Sequence, residues 1–247
     1  TTILLIFVLS KSEFRFENNI QDIYIKTFAK PSTMDNIKLI IIDDKSTEKI
    51  RYPWARNIYT DIFAYLKDYA KIIVFDSVID SESEYFPNED KIFFNNIKNF
   101  PNLLSGYMFD TKEKVLSSEQ KELFKSKNKT IIKDNRTIVP EDYISFSNMP
   151  EKYLENIPNL GYIDIYIDSD GVLRTFLPVK NYDKTLYPSL ALQAYSMATG
   201  VNNFVLNDKF LCSDDNCQKF KMPIYTTREN YSGVFGLVNW YKTEQID

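Results

Sequence analysis

No histidine occurs anywhere in the 247 residues of this chain. Its absence removes Ser-His-Asp and Cys-His nucleophilic catalysis, imidazole metal ligands and the usual general base near neutral pH. Any bond-making would fall to carboxylates, Lys, Tyr or Ser. Cysteine is nearly absent as well, since Cys212 and Cys217 are the only two. With four residues between them they can close a small disulfide loop or stand as two free thiols, and without histidine they cannot build a four-ligand zinc site from thiolates and imidazoles. A disulfide would imply an oxidising compartment. There is no basic excess: 30 Lys and Arg against 34 Asp and Glu leave a formal charge of −4, so no nucleic-acid partner is expected. The apolar run from Ile3 to Leu9 stops at Ser10 and Lys11, far short of the ~20 residues that cross a bilayer.

Apolar material is nevertheless plentiful. Hydrophobic residues make up 44% of the chain and aromatic ones 15%, enough for a packed core in one large α/β domain or two smaller ones. The stretch from Ile37 to Val78 organises the reading. Ile37, Leu39, Ile40, Ile41 and Ile42 read as a strand buried on both faces, and Ile72, Ile73, Val74 and Phe75 read as a second. Between them Ile58, Ile62, Tyr65, Leu66 and Tyr69 recur at helical spacing, with Asn57 placed as the cap. The whole is expected to form a right-handed βαβ unit.

The chain begins with Thr1 and not Met, so Ile3 to Leu9 reads as the last turns of a transmembrane helix, followed by a helical segment that ends before Pro31. After Asp76 comes an acidic loop, then a helix capped by Asn88 with Phe93, Ile97 and Phe100 on one face, then a strand from Leu103 to Phe109. Residues 110–130 are charged and read as an exposed insertion, partly helical. Gly161 to Val179 reads as a hairpin turning at Ser169-Asp170-Gly171, whose spacing does not fit a calcium loop. Ser189 to Thr199 reads as a buried helix closed by Gly200. Phe204 to Leu211 and Phe220 to Ile224 would flank a cysteine-bearing hairpin tip, and Phe235 to Tyr241 would be the last strand.

Seven fragments stand in a characteristic order: ENNIQDIY at Glu17 to Tyr24, IIIDDKS at Ile40 to Ser46, YPWAR at Tyr52 to Arg56, VFD at Val74 to Asp76, DSDGVLR at Asp168 to Arg174, YPSLAL at Tyr187 to Leu192 and VNWY at Val238 to Tyr241. In that order the chain resembles the second type of the cyclase/histidine-kinase-associated sensory extracellular domain family, known by the acronym CHASE. The resemblance implies an α/β fold with a mixed, largely parallel central sheet flanked by helices, a C-terminal antiparallel hairpin region and an N-terminal juxtamembrane helix. It implies residues 1–31 as membrane and juxtamembrane helix and 32–247 as a single extracytoplasmic sensory domain. It also implies a bacterial receptor held in the membrane by flanking helices, with a cytoplasmic output such as a nucleotide cyclase or histidine kinase. The input would be a small ligand or an envelope signal, with no catalytic residue, metal or cofactor in this domain; signalling receptors commonly work as dimers, so a homodimer is a further expectation.

In an open α/β sheet ligands sit beyond the carboxyl ends of the strands, which groups Asp43, Asp44 and Asp76, with Trp54 as an aromatic wall and Arg56 as a cation. The plainer roles for the same residues are helix capping for the aspartates, core packing for Trp54 and an ion pair with one of those aspartates for Arg56. Arg174 reads as a hairpin ion-pair partner. Two other functions are open: a Mg²⁺-dependent phosphoacceptor or phosphohydrolase using Asp43, Asp44 and Asp76, and a free periplasmic binding protein.

Overall fold

The computed structural model describes residues 18–25, 27–28, 36–50, 52–110, 117–136, 145–213, 217–228 and 231–237. The expected transmembrane turns at Ile3 to Leu9 and the end of the last strand, Val238 to Tyr241, lie outside them. Residues 18–25 are helical (α1).

A three-stranded parallel sheet in the order β1-β2-β6 forms the centre, from Ile73–Val78 (β1), Leu103–Tyr107 (β2) and Asn159–Tyr162 (β6). Every residue of β2 and β6 is buried, which is what a parallel strand covered on both faces requires. Helix α4, Pro87–Asn96, makes the crossover from β1 to β2. It starts on Pro87, whose missing N–H costs nothing in a first turn, while Ser83 Oγ accepts from the Phe86 N–H; Asn88 lies inside the helix and does not cap it. Phe93, Ile97 and Phe100 do share the buried face.

The Ile37 to Ile42 run is not a strand. It carries no ladder pairing, and Ile37, Leu39, Ile40 and Ile41 are 61 to 78% exposed. An apolar run makes burial favourable, but a strand also needs a neighbour's N–H and C=O groups. Among the described residues β1 pairs only with β2. The parallel crossover is therefore β1–α4–β2, not one spanning Ile37 to Val78. Two short helices precede it, Asp44–Lys49 (α2) and Asn57–Leu66 (α3). In α3 the face turned inward is Tyr59, Phe63 and Leu66, while Tyr65 and, past the helix end, Tyr69 are exposed; Asn57 is the first helical residue and its Oδ1 has no partner among the described residues.

Ser118–Ser126 (α5) opens with a capping box between Ser117 and Gln120. Phe124 is completely buried against Phe146 at 3.9 Å between ring centroids and fastens α5 to the core, with Leu123 packed beside it. Phe109–Asp110 (β3) pairs with Ser145–Phe146 (β5), and Glu151–Asn156 (α6) packs against α4.

A second unit follows. Ile131–Asp134 (β4), Asn203–Leu206 (β11), Phe210–Cys212 (β12) and Lys221–Pro223 (β13) form a sheet in the order β13-β12-β11-β4. Within it β4 and β11 are parallel and the other pairs antiparallel. Ile165–Tyr166 (β7) and Thr175–Phe176 (β8) make the expected hairpin, with Gly171 at φ +82 in its turn, though Gly161 and Tyr162 belong to β6 and Val179 to another hairpin. That hairpin, Val179–Tyr182 (β9) with Thr185–Pro188 (β10), turns on Asp183 and Lys184, both in the left-handed region. Tyr225–Arg228 (β14) and Tyr231–Leu237 (β15) extend the β7–β8 sheet. Leu190–Thr199 (α7) is capped by Ser189 Oγ and closed by left-handed Gly200. The fold is thus mixed α/β, with a parallel sheet and antiparallel hairpins.

Two apolar clusters divide the interior. One gathers Phe63, Phe93, Leu103, Tyr107, Phe124 and Tyr187 among others; the second gathers Val179, Leu192, Phe204, Leu206, Leu211 and Ile224.

Candidate functional site

The five residues grouped by sheet geometry are each placed individually. Asp43 caps α2, accepting from the Ser46 N–H at 2.9 Å and the Ser46 hydroxyl at 2.6 Å, and these bonds hold its carboxyl below the usual range. Asp44 is exposed in the first turn of that helix. Trp54 Nε1 donates to the Ile50 carbonyl at 2.7 Å and its ring lies against Tyr59. Asp76 is exposed on β1. Arg56 is ion-paired, but to a residue the sequence did not flag: Nη1 donates to Asp90 Oδ2 at 2.6 Å and to the Ser81 carbonyl at 2.8 Å. Asp90 is fully buried and also accepts from the Ser83 N–H, so this pair fastens the acidic loop after β1 to α4. Among the described residues no hydrogen bond or ion pair joins Asp43, Asp44 and Asp76 to one another or to Arg56. No group of three or more carboxylates or thiolates there is placed to hold a metal ion.

The densest charge cluster lies elsewhere. The Arg174 side chain is 2% exposed and meets three carboxylates. Nε and Nη2 donate to both oxygens of Asp22 at 2.8 Å; Nη1 and Nη2 donate to both oxygens of Asp170 at 2.9 and 2.8 Å; Nη1 also donates to Asp168 at 2.8 Å. All the directions of the guanidinium fork are thereby used. The hydrogen bonds from Arg174 hold the Asp170 carboxyl down to about 2, and those to Asp22 and Asp170 push the guanidinium pKa further up. The hairpin partners follow from the spacing in DSDGVLR. Asp22, 152 positions away on α1, leaves no local trace.

A second buried pair, Lys180 with Asp164 at 2.9 Å, lies under the rings of Phe109 and Tyr162, each 5.3 Å from Nζ. Burial lowers the Lys180 ammonium pKa, while Asp164 opposes that shift. A third, Arg136 with Asp134, closes the end of β4: Arg136 Nε donates to Asp134 Oδ1 at 2.7 Å and Nη2 to Oδ2. Cys212 and Cys217 are joined in a disulfide beside the β12–β13 pairing.

These are arrangements of fixed charge and hydrogen bonds around an aromatic core. Among the described residues no helix is long and apolar enough to cross a membrane. Neither a curated protein nor a solved structure matches the chain. The CHASE2 domain family does, over residues 1–246, essentially the entire sequence. The chain therefore belongs to the CHASE2 family of extracellular sensory domains.

Proposed function

We propose that this chain is the extracytoplasmic input domain of a membrane-anchored bacterial receptor, and that it relays a small ligand or an envelope signal to a cytoplasmic output such as a nucleotide cyclase or histidine kinase. The observation that carries the reading is the Arg174 cluster. It fastens α1, which in this reading follows a transmembrane helix, to the turn of the β7–β8 hairpin through charge-assisted bonds. A rearrangement of the hairpin would thus be felt directly by the segment nearest the membrane. The mechanism is a population shift: the signal favours one of two arrangements, and a coupling of about 1–3 kcal/mol changes output several-fold to a hundredfold. The Cys212–Cys217 disulfide agrees with an oxidising compartment. Flanking helices hold the domain at the bilayer, and two copies work together.

The test is topological. The parent reading frame is expressed in full and intact cells or spheroplasts are treated with an external protease. This segment should be recovered in the membrane fraction and be cleaved only from outside. A segment protected in the cytoplasm, or recovered free of membranes, overturns it.

A further inference from the structure

A cleft of about 510 Å³ opens where the two apolar clusters meet. Its walls are β4, the end of α5 and the β9–β10 hairpin; Tyr187 belongs to one cluster, while Ile132 and Leu186 pack against the other. That size lies within the range of small-molecule sites, which favour such boundaries.

Its polar lining is unfinished. The Arg136 side chain is fully buried, and Asp134 takes its Nε and Nη2, yet among the described residues Nη1 has no hydrogen-bond partner. Asn181, 8% exposed, and Asn128 each present a buried carbonyl oxygen to which none of the described residues donates. A guanidinium nitrogen lacks an acceptor, and two amide oxygens lack donors. Leaving such a buried group unmet is costly, more so where charge is involved. Lys125 and Lys184 add cations to the same walls, against the single carboxylate of Asp134. The lining therefore carries two more positive than negative charges, in a chain whose net charge is −4. Lys184 sits there at φ +59, a backbone setting unfavourable for a lysine and retained next to the cleft.

We propose that this cleft binds a small organic carboxylate that also carries a hydroxyl or ammonium donor, an α-hydroxy or α-amino acid. The carboxylate answers Arg136 and the lysines, the donor answers the asparagine oxygens, and the carbon skeleton lies on Ile131, Ile132 and Leu186. An inorganic oxyanion would leave the apolar wall uncovered. The inference deepens the receptor reading by naming the ligand class: a ligand seated between the two clusters binds one of their relative arrangements better than another.

The experiment is isothermal titration of the 247-residue chain with malate and with aspartate, beside succinate, which lacks the donor, and inorganic phosphate. Saturable malate or aspartate binding, with succinate and phosphate roughly tenfold weaker or more, is the expected result. Arg136→Met should weaken malate roughly tenfold or more. Lys184→Gly removes a rim charge while relaxing the left-handed turn; it should weaken malate without lowering the melting temperature, so that lost binding is not mistaken for unfolding. Absence of heat and of thermal shift for both acids at millimolar concentration, or equal affinity in the Lys184→Gly chain, overturns the site. Preference for phosphate overturns the ligand class. Because the assay uses the isolated chain, binding by a protein that the protease experiment places outside any membrane keeps the site and removes the receptor, and the converse pair of results does the opposite.

Discussion

At the scale of single residues, ionic contacts matter here in proportion to their burial. Lys180 is 6% exposed and pairs with Asp164, which also accepts from the Phe109 N–H. Truncating the lysine strands that carboxylate beneath aromatic rings, so Lys180→Met should cost about 3–5 kcal/mol in urea unfolding. The Lys152–Glu155 pair on α6 is exposed at both ends, and Lys152→Met should change stability by less than about 0.5 kcal/mol. Asp170 gives a pH signature. Its carboxyl is held at about 2 against an ordinary 3.8, so the native state keeps it ionised where the unfolded chain takes up a proton. The stability it contributes is therefore complete above about pH 4 and disappears as pH falls towards 2. Thermal unfolding followed from pH 5 to pH 2 should show a loss of melting temperature that Asp170→Asn makes shallower.

At the scale of elements, close backbone approach fixes where α7 can sit. A Cβ on Gly161 in β6 would lie 2.6 Å from Leu190 Cα and 2.9 Å from Leu190 N, both backbone atoms that cannot swing aside. Gly161→Ala should therefore cost about 1–3 kcal/mol or more, measured by denaturant midpoint. Adding the same methyl at Gly171, where nothing lies within 4 Å but φ is +82, strains only the turn. The capping box of α5 is a gentler case: Ser117→Ala loses one cap bond, with an expected cost of about 1 kcal/mol. Element types were largely legible in the chain. The α4 face of Phe93, Ile97 and Phe100, the β7–β8 turn at Gly171 and the closure of α7 by Gly200 all carry local signals that the structure repeats. The inward face of α3 was not legible, because Tyr65 and Tyr59 have the same side chain and only contact with Phe75 and Phe93 distinguishes them.

At the scale of the whole molecule, the link between α1 and the β7–β8 hairpin is where a signal would pass in the proposed receptor. Asp22→Asn removes the charge that Arg174 holds with two bonds while leaving Asp168 and Asp170 in place. Hydrogen exchange should then speed up in residues 18–25 and remain slow in β2 and β6; equal acceleration across the molecule would show that the cluster supports the entire fold and not one helix. In a full-length receptor the same substitution should alter basal output.

By itself the sequence determined composition-level limits, the helices and turns with local punctuation, and an ordered set of fragments that marks the CHASE2 family. It excluded histidine chemistry outright. Tertiary structure alone decided who meets whom: Arg56 with Asp90, Arg174 with Asp22, and Arg136 at a cleft between two apolar clusters. It also left Ile37 to Ile42, the most strand-like run in the chain, without a ladder. The physical reason is the same in each case. Periodicity and capping act over a few residues and are written in neighbouring letters, whereas a charge pair or a strand partner depends on surfaces brought together from distant positions.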